Sequence, residues 1–191
     1  EFRRVLFRSI ADSLGVSPSM HVLDLGCGDG TTALPLAAHG ARVTGVDIAD
    51  NLVAAGNRRA TEAGLTNLTF ESGDACDLFN VPDHTFHLTL SMFGVMFAPK
   101  PFEVAAEMVR VTRPGGRIVM GNWIPNDQTS FVSELLRIGS AYMPPPPEGF
   151  ISPMTWGVPA HIIDRFSRAG VPAENISMDK AIYRFISRSE E

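Results

Sequence analysis

A glycine-rich loop between a predicted strand and a predicted helix constrains the fold of this chain more than any other feature. The apolar run His21-Val22-Leu23-Asp24-Leu25 predicts a buried strand and leads directly into Gly26, Gly28 and Gly30. Residues without a Cβ let the backbone turn sharply and let a ligand approach closely. The helix that follows offers its free backbone N–H groups. The segment therefore predicts a ligand-binding loop, and the alternative is a βα turn that only needs small residues.

Strand and helix patterns alternate along roughly residues 20–123. The patterns predict strands at 21–25, 41–46, 68–70, 86–91 and 117–121, and helices at 31–39, 50–64 and 101–113. Asp50 is the predicted N-cap of the second helix. This alternation is typical of right-handed βαβ crossovers. It predicts an α/β fold with a doubly wound, mostly parallel Rossmann-like sheet and helices on both faces.

The length of 191 residues predicts one domain, which we place at residues 10–191. Residues 20–123 are its predicted ligand-binding core, and residues 124–175 are a predicted region of helices and an irregular lid or substrate segment with four consecutive prolines. Beyond the core, helices are predicted at 129–142 and 159–169, and a last extended run at 176–186. We interpret residues 1–9 as a cloning or sequencing scar; a basic targeting segment is the alternative.

Composition excludes several classes of protein. Hydrophobic residues make up 45% of the chain, which is enough for a buried core and argues against disorder. The formal net charge of −5 argues against binding to nucleic-acid phosphates. No apolar run is long enough for a membrane helix, and no histidine or cysteine spacing predicts a metal site. With two cysteines and no secretory signal, we expect a cytoplasmic protein.

Three acidic residues follow or end the first three strands. Asp24 precedes a loop that reads GxGxG, with Thr31 where a dinucleotide-binding loop has its third glycine. An acid at this position suits a cationic ligand better than a pyrophosphate. Asp47 ends the second strand and can accept hydrogen bonds from ribose hydroxyls; a helix cap or a solvated acid is the alternative. Asp74 follows the third strand and can accept from an adenine amino group, or can serve as a turn residue.

These segments, taken in order, resemble those of class I S-adenosylmethionine-dependent methyltransferases of the type 11 domain kind. The resemblance covers roughly residues 20–123, extends more loosely to 186, and implies S-adenosylmethionine as the cofactor. It implies that the glycine loop wraps the methionine part, that Asp47 holds the ribose, and that Asp74 with Ala75 holds the adenine. The implied cofactor-binding residues are Asp24, Gly26, Cys27, Gly28, Gly30, Thr31, Asp47, Ile48, Asp74, Ala75, Ser91 and Met92.

The chain departs from the family's pattern in two ways. His87 stands at the start of strand four, where the family usually has an acid, and we interpret it as a surface or hydrogen-bonded core residue. The family usually also has a longer upstream helix, of which Ile10 to Leu14 is the remnant, and a final antiparallel strand. We therefore expect a domain truncated at both ends and lacking that last strand.

The resemblance implies an SN2 transfer of a methyl group to a small-molecule acceptor, catalysed by proximity and orientation. It identifies no general base. The aromatic candidates for acceptor contacts are Phe93, Trp123, Tyr142 and Trp156, with Met96, Phe97 and Met143 beside them; plain core packing is the alternative for each. This set suggests an apolar or aromatic acceptor. A nicotinamide-dependent oxidoreductase and a non-catalytic, truncated cofactor-binding module are the alternative functions.

Overall fold

The computed structural model describes residues 10–127 and 129–181. Its centre is a sheet of five parallel strands in the order β3-β2-β1-β4-β5. The strands are β1 (His21–Leu25), β2 (Arg42–Asp47), β3 (Leu68–Ser72), β4 (Phe86–Met92) and β5 (Thr112–Gly121). The predicted α/β, doubly wound sheet is confirmed, and the described residues add no antiparallel strand to it.

Helices cover both faces of the sheet, as the predicted crossovers require. They are α1 (Ala33–Ala38), α2 (Asp50–Glu62), α3 (Pro101–Val111), α4 (Phe131–Ser140) and α5 (Pro159–Arg168), with short 3₁₀ turns at Val95–Phe97, Pro153–Gly157 and Ala173–Asn175. One core contains apolar residues of α1 and α2 together with Val22, Phe70 and Leu90. The other contains apolar residues of α3 and α5 together with Leu23 and Trp156. Successive residues of β1 therefore pack into the cores on opposite faces of the sheet, as expected for a central strand.

The strand order reverses between β1 and β4, which are neighbours in the sheet. Leu23 pairs with Thr44 of β2 on one side and with Thr89 of β4 on the other. In doubly wound sheets, ligands bind in the crevice outside the carboxyl ends of the strands at this reversal. The fold thus places the predicted glycine loop, which leaves the carboxyl end of β1, at the position where a binding crevice is expected.

Several predicted boundaries are wrong in detail. Asp50 is the first residue of α2, not its N-cap, because extended Ala49 precedes the helix and the Asp50 carboxylate instead accepts a hydrogen bond from Ser72. The strand predicted from Arg117 begins at Thr112, and residues 113–116 form an irregularity in its register with β4. Of the extended run predicted at 176–186, residues 176–181 form no strand and the rest lie outside the described residues, as do residues 1–9.

His87 accepts a hydrogen bond on Nδ1 from the backbone N–H of His21 at 3.1 Å. The ring is therefore a hydrogen-bonded group at the edge of the core, in agreement with its interpretation from the sequence. In the part of the chain that the structure describes, no helix has the length and apolar character needed to cross a bilayer.

Phe70 of β3 lies in a space made by three glycines. A Cβ on Gly56 of α2 would lie 2.9 Å from the Phe70 ring, and one on Gly45 of β2 would lie 2.6 Å from it. A Cβ on Gly30 would also collide with the end of the same ring. The three glycines let α2 and the glycine loop approach the sheet around a buried aromatic side chain, so Gly30 is needed for packing as well as for the turn.

We expect Gly56→Ala to destabilise the protein by about 1–3 kcal/mol, since the new methyl group overpacks against Phe70. In most helices the same change stabilises by about 0.5–1 kcal/mol. Gly139 of α4 is the matched control, because a Cβ there meets no atom within 4 Å. Urea unfolding should therefore show opposite signs for Gly56→Ala and Gly139→Ala. Equal effects of the two substitutions would contradict this account of the packing.

Candidate functional site

The site begins where the backbones of two loops touch at the carboxyl ends of β1 and β4. A Cβ on Gly26 would lie 2.8 Å from the Cα of Gly94, and a Cβ on Gly94 would collide with the carbonyl oxygen of Gly26. Gly26 also has a positive φ of 70°, which disfavours other residues. Both positions therefore require glycine, and the chain leaving β4 passes directly against the glycine loop.

Gly28 has open space on the side where a Cβ would lie. Its φ is +56°, and a Cβ built on it meets no atom within 4 Å. The backbone N–H of Gly28 donates to Oδ2 of Asp47 at 2.8 Å, and the N–H of Ala49 donates to Oδ1 at 2.9 Å. The Asp47 carboxylate at the end of β2 is thus joined to the loop after β1. The remaining lone pairs of its two oxygens can accept further hydrogen bonds.

Asp24 is a buried acid with an unused acceptor. Its side chain is 1% exposed, and its Oδ2 atom has no hydrogen-bond partner within the described structure. Burial, with a smaller contribution from the Asp47 carboxylate, raises the pKa of Asp24 to about 7. A buried acceptor without a partner is costly, and a cationic ligand group would satisfy it. That the loop suits a cation better than a pyrophosphate stays a prediction.

The other predicted loop residues have supporting contacts. Thr31 donates to Oδ1 of Asp29 at 2.9 Å, while Arg59 of α2 forms a 2.7 Å ion pair with Oδ2 of the same residue. Cys27 is buried, and burial together with the nearby Asp24 carboxylate raises the pKa of its thiol. A thiol that stays protonated is a poor nucleophile, so Cys27 acts here as a small packed residue.

The segment after β3 brings Asp74 to the same edge of the sheet. Asp74 is exposed and accepts a 2.8 Å hydrogen bond from the Cys76 N–H, while Ala75 packs against the core beside α3. The N–H of Gly73 donates to the carbonyl of Asp47 at 3.0 Å and so ties this segment to β2. Ile48 presents a large apolar side chain that is 74% exposed.

The end of β4 carries an aromatic pair. Ser91 is buried and accepts a 3.1 Å hydrogen bond from the Val95 N–H, which closes the turn after the strand. Within that turn Phe93 has a φ of +63°, a conformation that is uncommon outside glycine. Its ring stacks on Trp123 with centroids 4.5 Å apart. The half-buried Met92 lies beside Gly121 at the end of β5.

The structure does not bring all the predicted acceptor residues together. Trp156 is 1% exposed and packs against Phe166 and the Arg165 guanidinium, which favours the alternative of core packing for this residue. Met96 is buried as well. Tyr142 is 87% exposed and lies just beyond α4 with no ring contact described. Phe97 and Met143 are also exposed. Of the seven residues predicted to contact the acceptor, Phe93 and Trp123 are the two that stack on each other within the part of the chain that the structure describes.

Sequence reasoning missed two residues that shape this site. Gly94 was not a candidate, because one glycine after a strand carries no local signal of a backbone contact with Gly26. Arg110, on the α3 helix, binds the segment that carries Asp74, and only the packing of α3 reveals it. A search for glycines at the ends of both central strands would have found the first of these.

Comparisons with known proteins agree with this geometry. A family model described as "Methyltransferase domain" matches residues 22–116. An uncharacterized protein of Mycobacterium tuberculosis is 34% identical over 148 residues, which are 78% of this chain and 52% of that protein. A demethylmenaquinone methyltransferase of Beutenbergia cavernae is 37% identical over 120 residues, which are 63% of this chain and 48% of that protein. The chain thus spans about half the length of these relatives.

A solved structure shares the fold. The crystal structure of a SAM dependent methyltransferase from Aquifex aeolicus matches with a TM-score of 0.63 and 20% identity. The match covers 83% of this chain and 78% of that one. It includes the parallel sheet with its flanking helices, so the architecture built around the crevice is that of a known methyltransferase fold.

The buried Asp24 makes the stability of this protein depend on pH. Its pKa is about 7 in the folded state, against 3.8 for an ordinary carboxyl group. Between these values the folded state keeps a proton that the unfolded state has released, so the free energy of unfolding falls as the pH rises. We expect the neutral Asp24→Asn variant to gain stability relative to wild type over this range, by at most about 1.4 kcal/mol per pH unit.

Urea unfolding of both proteins at intervals from pH 4 to pH 8 measures this difference. Two stability curves that run parallel across the range would show that Asp24 ionises like an ordinary exposed carboxyl group.

Proposed function

Because this chain belongs to the class I S-adenosylmethionine-dependent methyltransferases, we propose that it transfers a methyl group from that cofactor to a small-molecule acceptor. The observation that carries the proposal is the open space beside Gly28, next to the contact between Gly26 and Gly94. A ligand can lie there against bare backbone, at the reversal of strand order where this fold class binds ligands.

The residues present fit the cofactor. Asp24 supplies a buried acceptor without a partner for a cationic group, and Asp47 supplies a carboxylate at the end of β2 for ribose hydroxyls. Asp74 and Ala75 lie at the next strand end for the adenine, and the exposed Ile48, which follows Asp47, is available for an apolar contact with the cofactor. We propose that Gly26, Cys27, Gly28, Gly30 and Thr31 surround the methionine part, with Ser91 and Met92 on its other side.

The bound cofactor supplies an electrophilic sulfonium methyl group. The protein orients the two reactants and excludes water from them, which are the contributions that this chemistry requires. The carboxylates of Asp24 and Asp47 are placed to attract the cofactor's positive charges. No side chain of the described residues is assigned as a general base, so we propose catalysis by alignment.

We propose an apolar or aromatic acceptor. Support comes from the stacked rings of Phe93 and Trp123, which are both partly exposed and lie close to the end of β4. The left-handed backbone at Phe93 costs free energy, and such strain concentrates at ligand-binding positions. The demethylmenaquinone methyltransferase to which the chain is similar is named for a quinone acceptor, which is also apolar. The acidic charge of the chain disfavours a nucleic-acid acceptor.

We expect Gly28→Ala to weaken S-adenosylhomocysteine binding more than tenfold, since the new Cβ points into open space that the ligand would fill. Gly115→Ala is the matched control: Gly115 also has a positive φ, +75°, and a Cβ there also meets no atom within 4 Å. Both variants carry a similar backbone strain of about 1 kcal/mol, so only ligand binding should separate them. Calorimetric titration of the full chain measures both affinities.

A parallel titration with NAD tests the oxidoreductase alternative. Saturable NAD binding without S-adenosylhomocysteine binding would overturn the proposed function. Equal S-adenosylhomocysteine affinities for Gly28→Ala and wild type would show instead that the ligand lies elsewhere. Binding without turnover of any acceptor would favour the non-catalytic module.

We expect Trp123→Ala to raise the KM for aromatic acceptors about tenfold or more while leaving S-adenosylhomocysteine affinity unchanged, because burial of one aromatic face contributes about 1–2 kcal/mol. A panel of alkylated phenols and hydroquinones supplies the acceptors, and production of S-adenosylhomocysteine measures turnover. An unchanged KM for every active acceptor would remove Trp123 from the acceptor site.

A further inference from the structure

The connection between β3 and β4 crosses between strands of the same parallel sheet without a helix. Residues 73–85 contain turns, bends and an isolated bridge between Asp74 and Asp77. Crossovers of this kind usually contain a helix. A long segment without a helix has to be ordered by contacts with other parts of the protein. The segment begins with Asp74 and Ala75, so whatever holds it also holds the proposed adenine contacts.

Arg110, in the last turn of α3, orders this segment. Its Nη2 donates to the carbonyl of Leu78 at 3.0 Å, and its Nη1 donates to the carbonyl of Val81 at 2.8 Å and to Oδ1 of Asp83 at 2.7 Å. Its Nε and Nη2 also donate to the Glu107 carboxylate, each at 2.7 Å. All five N–H groups of the guanidinium are used, three of them on the connecting segment.

Glu107 completes the arrangement from the same helix. Its Oε2 accepts a hydrogen bond of 2.7 Å from the Leu78 N–H, while Arg110 binds the carbonyl of that residue. Both backbone groups of Leu78 are therefore held by α3, and its side chain is buried in the core. Glu107 is little exposed, and its hydrogen bonds with Arg110 lower the pKa of its carboxyl group. The pair stays ionised at neutral pH.

The orientation of Asp74 depends on the backbone of this segment. Its Oδ1 accepts from the N–H of Cys76, and its carbonyl accepts from the N–H of Asp77 at 3.0 Å. Asp77 directly precedes Leu78, the residue that Arg110 and Glu107 hold. A short chain of backbone contacts thus joins the guanidinium on α3 to the carboxylate at the carboxyl edge of the sheet.

We propose that Arg110, supported by Glu107, is a positioning residue for adenine recognition: it holds the helix-free connection so that Asp74 can accept a hydrogen bond from the adenine amino group. This inference rests on the proposed function, because it assumes an adenosyl ligand at this edge of the sheet. Lysine cannot replace arginine fully here, since one ammonium group cannot bind two carbonyls and two carboxylates in a fixed plane.

The test compares two ligands that differ only at the purine. S-adenosylhomocysteine carries the purine amino group and an unprotonated N1, and S-inosylhomocysteine carries a carbonyl oxygen and an N1–H group in their place. Calorimetry on the full chain gives the ratio of their affinities. We expect wild type to prefer the adenine ligand, Arg110→Met to reduce that preference about tenfold, and Arg110→Lys to reduce it less.

Arg137→Met is the matched control, because Arg137 forms the same i,i+3 pair, with Glu134, on the exposed helix α4. It should leave the preference as in wild type. In an Asp74→Ala background, Arg110→Met should change the preference no further. A purely structural role of Arg110 would weaken both ligands equally, and that result, or an unchanged preference, would overturn the proposal.

Circular dichroism and urea unfolding identify any variant that fails to fold. Glu107→Gln, which keeps the size of the side chain, replaces Arg110→Met in that event and should also reduce the preference. If wild type binds neither ligand, the proposed function fails. If wild type binds both but prefers neither, adenine recognition by Asp74 and Arg110 fails while the proposed function stands.

Discussion

The backbone contact between Gly26 and Gly94 is the constraint on which the rest of the site depends. β1 and β4 lie side by side at the reversal of strand order, and their loops leave the sheet in the same direction. They can do so only because neither loop has a Cβ at the contact. The chain after β4 is consequently held in a tight turn, with Phe93 at a positive φ and its ring on Trp123. One contact therefore shapes both the proposed cofactor site and the proposed acceptor site.

Packing below the crevice depends on a second group of glycines. Phe70 occupies the volume that side chains at Gly30, Gly45 and Gly56 would need. This lets a long helix lie close to β2 and β3, and it joins the last glycine of the loop to the core. Such support makes the glycine loop rigid, because a loop packed against a buried aromatic ring has few alternative positions. The proposed binding role of Gly30 and its role in stability are therefore linked.

The two acids of the site are held in different ways: backbone N–H groups stabilise the charged form of Asp47, and burial favours the protonated form of Asp24. Asp47 receives two backbone N–H groups, whereas the buried Asp24 has an acceptor without a partner and an elevated pKa. A ligand with positive charge relieves both the repulsion between these acids and the unsatisfied acceptor. On α3, Arg110 and Glu107 order the connection that carries Asp74. The positions of the acids at this edge of the sheet are thus set by groups on several elements.

The amino-acid sequence alone predicts the strand and helix alternation, the glycine loop after β1 and the acids at or near the ends of β1, β2 and β3. These are local signals, carried by apolar periodicity and by glycines next to a strand. It placed Asp50 and the start of β5 wrongly, because a helix cap and a strand irregularity depend on partners such as Ser72 and β4. Chain packing was needed to show that Trp156 is buried while Phe93 stacks on Trp123, that Gly26 contacts Gly94, and that Arg110 binds Leu78. Each of these pairs is distant in sequence or joins different elements, so its geometry exists only once the layers have packed.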